Sequence, residues 1–234
     1  MMEEILILFA ALAPVGLLLF YIFRKDKLQQ EPPKELFKAF AAGVASAFLS
    51  LLLTSPLDFG SIEDIYSVPD ALRMAFLDAA IPEEFAKFVM FWLVVRRNKY
   101  FDEHMDGIVY AVFVSLGFAA FENILYLFDS YDSWVSVGIS RALFAIPGHF
   151  AFAVLMGYYY SLVRFYPNPP LKNKILVLAA PMLVHGIYDS LLFIMDIAPA
   201  ISAILMIVFL ILCYQMWKRG KQKIAELLDR DRLA

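Results

Sequence analysis

The chain has 234 residues, 62% hydrophobic and 18% charged, with a net charge of −3, a mean hydropathy of +0.68 and a single cysteine, Cys213. Soluble domains carry about 45–50% apolar and about 25% charged residues. This composition therefore excludes a disordered chain, a disulfide-stapled secreted domain and an ordinary water-soluble enzyme, and one cysteine excludes an internal disulfide or a thiolate-cluster metal site.

A bilayer core about 30 Å thick takes about 20 apolar residues per helix. Seven such runs follow one another: Ile5–Phe23, Leu36–Pro56, Ala71–Val95, Met105–Phe128, Val135–Val163, Ile175–Met195 and Pro199–Trp217. The connections between them are short. The expected fold is all-α: one polytopic transmembrane bundle over residues 1–234 with about seven spans, no soluble domain and a basic tail at 218–234. The first span lacks the look of a cleavable signal, because Arg24, Lys25 and Lys27 follow the apolar run instead of preceding it.

The basic residues predict the orientation. All but Arg73, Lys87 and Arg141 of the twenty Lys and Arg fall in alternate connections or in the tail. The positive-inside rule then places the N-terminus outside and the C-terminus in the cytoplasm of a cell-membrane protein. The other connections are acidic, with Asp58, Glu63 and Asp64, then Asp129 and Asp132, then Asp196.

Several ionisable groups fall inside spans, where each costs roughly 2.5–3.5 kcal/mol even on the lenient insertion scale. The third span holds Pro82-Glu83-Glu84 and Lys87, the fourth Glu122, Asn123 and Tyr126, the fifth Pro147 and His149, and the sixth His185 and Asp189. Helical spacing puts Lys87 on the face of Glu83 and Glu84, so it can neutralise a carboxylate. The same spacing lets Asp189 hold one ring nitrogen of His185 and leave the other for chemistry, and lets the Tyr126 phenol reach Glu122. Pro82 and Pro147 each free a backbone carbonyl, tolerable in a membrane only inside protein or a wet cavity. Arg141 reads as an interface anchor, and His104 and Asp106 as residues of the headgroup region. On the predicted topology the intramembrane groups converge in the outer-to-middle part of the bundle.

Carboxylates and histidines in a water-accessible pocket support hydrolysis: a Glu activates water and a His serves as a second acid/base or oxyanion partner. No serine sits in a nucleophile motif, and Cys213 lies away from the cluster. Glu83, Glu122, His149 and His185 could also ligate a divalent metal, although H-E-x-x-H is absent. Two other functions use the same residues. A proton or divalent-cation transporter would need a polar path to both faces, which the apolar stretch from Phe88 to Val95 does not offer. A non-catalytic receptor or scaffold would tolerate substitution of the cluster.

The blocks Glu83-Glu84-x-x-Lys87, Phe121-Glu122-x-x-x-Tyr126, His149 followed by Gly157, and His185-Gly186-x-x-Asp189 resemble those of the PrsW intramembrane proteases. That family belongs to the wider group containing the type II CAAX prenyl endopeptidases. The run from Phe101 to Tyr110 and on to Tyr126 carries the same likeness, which extends over essentially the whole chain. The resemblance implies a site-1 protease that cuts a single-pass anti-sigma factor on its extracytoplasmic side, with Glu83, Glu84, Glu122, His149 and His185 as site residues. Lys87, Asn123, Tyr126 and Asp189 would support them. Asp189, standing where relatives carry Asn or Asp, suits orientation of His185 better than oxyanion donation. The implied partners are a single-pass membrane protein and the bilayer, not nucleic acid. A glutamate-activated water is favoured over a metal, with no cofactor firmly implied.

Overall fold

Helix starts are written into the sequence. Ser67 caps a helix by accepting the Asp70 N–H, with Pro69 in the first turn, where its missing N–H costs nothing. Glu103 and Asp106 form a reciprocal capping box at another start. Arg24 and Lys25 close the first helix, where cations suit the negative end of the dipole.

The computed structural model describes residues 2–54 and 65–233. It contains seven helical rods, with no strand among the described residues: α1 Met2–Lys25, α2 Pro33–Thr54, α3 over residues 68–95, α4 His104–Asp129, α5 Tyr131–Arg164, α6 Leu171–Ile197 and α7 Ser202–Leu233. Pro56, Asp58, Glu63 and Asp64, used above to bound a span and orient the chain, lie outside the described residues.

Six rods are long and apolar enough to cross a membrane. The exception is α3, which carries Asp70, Arg73, Asp78, Glu83, Glu84 and Lys87 and is held between α2 and α6. This rod, with charges spread along its length, is thus kept among its neighbours, as an ionisable helix in lipid must be. At the centre stands α4, 78% of whose apolar stretch is buried, against 11% for the peripheral α7. The tail expected after Trp217 is not a separate segment. It continues α7 to Leu233 with Ile224 and Leu227 buried, and Tyr158 donates to Glu226 at 3.0 Å.

Close backbone approach fixes α4 against α5. A Cβ on Gly157 would lie 2.2 Å from the carbonyl oxygen of Gly107, and one on Gly107 would lie 2.0 Å from Ser161 Oγ. A backbone oxygen cannot swing aside, so Gly157→Ala is expected to cost at least the roughly 1–3 kcal/mol of ordinary overpacking. A thermal unfolding midpoint in detergent equal to the parent's would contradict this contact.

The basic connections gather at one end. There Gln29 donates to Asp102 at 3.0 Å, His104 Nδ1 meets Asp231 at 2.7 Å, and Ser161 donates to the His104 carbonyl at 2.6 Å. Asp106 is fully buried there, its Oδ2 accepting the N–H groups of Asp102 and Glu103. This corrects the expectation that it sits in headgroup water. At the opposite end Tyr131 donates to Glu3 at 3.0 Å.

Candidate active site

Prolines shape three of the four helices that carry the site. Pro82 and Pro147 supply no N–H, and each follows a π-helical segment, Met74–Ala80 in α3 and Arg141–Ala145 in α5. The N–H of Ile81 reaches back five residues to the Phe76 carbonyl, and that of Ile146 to the Arg141 carbonyl. The missing donors are accommodated by widened turns, which also rotate the residues beyond them relative to an uninterrupted helix. In α6, Pro181 precedes His185 by one turn. Next to that histidine, a Cβ on Gly186 would lie 2.3 Å from the Phe76 ring. The absent side chain lets α6 close onto the π segment of α3.

These devices join all five predicted site residues in one network. Lys87 Nζ lies 3.1 Å from Glu83 Oε2, 2.8 Å from Glu84 Oε1 and 3.1 Å from His149 Nδ1, and 4.0 Å above the Phe118 ring. The opposite nitrogen of that ring, His149 Nε2, is 3.0 Å from Glu122 Oε2. An ammonium can only donate, so His149 accepts at Nδ1 and donates from Nε2 to Glu122. Ser115 donates to the His149 carbonyl at 3.0 Å. His185 Nδ1 lies 3.1 Å from Glu84 Oε1, and His185 Nε2 lies 3.1 Å from Asp189 Oδ2. Its ring is stacked on Phe152 with centroids 4.5 Å apart.

Three expectations change. His185 does not keep a nitrogen for chemistry: Asp189 holds one, as helical spacing predicts, but Glu84 faces the other. Tyr126 does not hold Glu122. That carboxylate accepts from Arg141 at 2.7 Å, and Arg141 lies 4.0 Å over the Tyr126 ring. Arg141 is therefore a member of the site and not merely an interface anchor. It also donates to Asn123 Oδ1 at 2.6 Å, while Asn123 Nδ2 donates to the Ala11 carbonyl at 2.8 Å and ties the cluster to α1. The missed signal was its position as one of the three basic residues outside the basic connections.

Adjacent carboxylates have different surroundings. Glu83 lines a cavity of about 270 Å³ with Glu122, Tyr126, Arg141, His149 and Asp189. Glu84 is fully buried behind it, held by Lys87 and His185, and its Oε2 has no hydrogen-bond partner among the described residues.

The metal-ligand set foreseen from sequence is also revised. The donors that converge are those of Glu83, Glu84 and His149, one atom from each lying within 4.8 Å of the others. Glu122 and His185 are instead committed to Arg141 and to Asp189. Lys87 Nζ is within 3.1 Å of all three converging residues. A divalent ion bound by carboxylate and imidazole sits about 2.0–2.2 Å from its ligands, and here the point they share is taken by an ammonium group. The residues present do not fit a metal at this place.

Comparison with known proteins agrees with the reading of the motifs. Residues 31–215 match the family described as PrsW family intramembrane metalloprotease. The chain is 33% identical over 225 residues to Protease PrsW of Clostridioides difficile (strain 630), covering 95% of this chain and 91% of that protein. It is 38% identical over 186 residues to Protease PrsW of Geobacillus kaustophilus, covering 78% of each. The Protease PrsW of Bacillus subtilis is 34% identical over 187 residues, 80% of this chain and 82% of that protein. No solved structure matches. With six membrane-length helices and a family match that takes in every helix of the site, the chain belongs to the PrsW family of multi-pass intramembrane proteases.

Proposed function

We propose that this protease cuts a single-pass membrane protein, of the anti-sigma-factor kind, by direct attack of a water activated by Glu83. The observation that carries this reading is the position of Glu83 on the cavity wall, while Lys87 fills the point where metal ligands would meet. A base must reach the water it deprotonates. Glu83 faces the cavity, whereas Glu84 is enclosed by Lys87 and His185.

Glu83 takes a proton from water as the oxygen adds to the scissile carbonyl. The oxyanion forms opposite Arg141 and Tyr126, which line the same cavity, in a setting of low dielectric where fixed donors act strongly. Glu83 then returns the proton to the leaving amide nitrogen. His149, bridging Lys87 and Glu122, holds the two halves of the site in register. His185 links Glu84 to Asp189 and keeps α3 and α6 together.

The charge rule supports an orientation with the basic end in the cytoplasm of the cell membrane and the cluster toward the extracytoplasmic half. The test is cleavage of a tagged single-pass reporter by cells expressing the protease. Glu83→Ala and His149→Ala are expected to abolish cleavage at unchanged expression. Unaltered cleavage in single variants of all five site residues would refute the assignment.

A further inference from the structure

A second cavity, of about 630 Å³, opens between α5, α6 and α7 and shares no lining residue with the catalytic one. Small residues make room for it, because Ala151 of α5, Ala180 of α6 and Gly220 of α7 all line it. Val184, Leu212 and Met216 supply an apolar floor, and at the basic end of the bundle the lining changes to Arg219 and Lys223. Leu212 and Lys223 lie about 16 Å apart along α7, at 1.5 Å per residue.

Charge in this cavity is unbalanced. Glu226, the acid on its wall, is committed elsewhere: it accepts from Arg230 at 2.8 Å and from Tyr158 at 3.0 Å. Arg219 and Lys223 form no ion pair among the described residues. Lys223 is half-buried, with Nζ 3.6 Å from the centre of the Tyr158 ring and 4.8 Å from that of Tyr159, which holds it at the cavity wall. Arg219 is exposed. Residues four apart share a helix face, and like charges at that spacing repel. An anion between the two relieves that repulsion.

A soluble anion would use the cations and leave the apolar floor bare. A wholly apolar chain would cover the floor and leave the cations unmatched. A phospholipid with an anionic headgroup matches both, and basic pockets between membrane helices select such headgroups. We propose that this cavity binds an anionic phospholipid from the leaflet at the basic end, its phosphate on Arg219 and Lys223 and an acyl chain along Leu212, Met216 and Val184. Of the six membrane-length helices α7 is the least enclosed, with 11% of its apolar stretch buried. The lipid ties it to α5 and α6, which carry His149 and His185.

The test uses the full chain in neutral detergent micelles doped with phosphatidylglycerol or, at the same mole fraction, phosphatidylcholine, while thermal unfolding is followed. A ligand held by the folded state alone raises the midpoint. A saturable rise of several degrees is expected with phosphatidylglycerol, beyond any produced by phosphatidylcholine. The rise should be lost in Arg219→Gln/Lys223→Gln. It should be kept in Lys172→Gln/Lys174→Gln, which removes two exposed charges from the same end but outside the cavity. If the first double variant does not fold, Arg219→Gln alone provides the comparison and should need severalfold more lipid for the same rise. Equal midpoints in the two lipids would overturn the proposal. So would a rise that survives in Arg219→Gln/Lys223→Gln, an unchanged lipid requirement in Arg219→Gln, a rise that both double variants lose alike, or an equal rise from inorganic phosphate in micelles without lipid.

Discussion

In Lys87→Met the folded protein is expected to lose about 3–5 kcal/mol of stability, the usual cost of removing one partner of a buried ion pair. Both Lys87 and Glu84 are fully buried, so no water can replace the lost ammonium. Lys87 also donates toward Glu83 and His149, so three polar groups each lose one partner together. The second substitution in Lys87→Met/Glu84→Gln removes the stranded charge and is expected to restore a large part of the loss. The measurement is unfolding in detergent of the parent, both single variants and the double variant. Additive effects, or a Lys87→Met variant as stable as the parent, would show that the lysine does not hold this cluster together.

The opposite pattern is expected one residue away. Glu83→Gln should lower kcat by about 10²–10⁴, the range for loss of a general base, with little change in the unfolding midpoint. Lys87 keeps its 2.8 Å contact with Glu84 in that variant, and the substituted side chain lies on the cavity wall. Glu84→Gln should instead weaken the fold, because it loosens both Lys87 and His185. If Glu84→Gln proved the less stable-fold but catalytically silent variant, the division of labour would stand; if Glu83→Gln cleaved at the parental rate, Glu83 would not be the base.

Contacts within one helix were legible in the sequence. Lys87 with Glu83 and Glu84, and His185 with Asp189, follow from helical spacing alone, and the structure gives them distances of 2.8–3.1 Å. Contacts between helices were not legible, because a spacing gives a face and not the neighbour it meets. Arg141 reaches Glu122 across nineteen positions, and His149 reaches Lys87 across 62. The π segments add to this, since a widened turn shifts every later residue around the axis and breaks the 3.6-residue repeat. Proline marked where those segments occur without indicating their form. The difference between Glu83 and Glu84 was likewise hidden. Neighbours on a helix point about 100° apart, and only the packing of α6 against α3 decides which one is enclosed.

Attack by a Glu83-activated water requires no catalytic metal, and cleavage by purified protein tests this most directly. The parent protein would be incubated with a single-pass reporter, well below its unfolding midpoint, with and without a strong chelator. Cleavage that persists at its original rate in chelator is predicted. Loss of that cleavage in chelator, restored by added Zn²⁺, would contradict it.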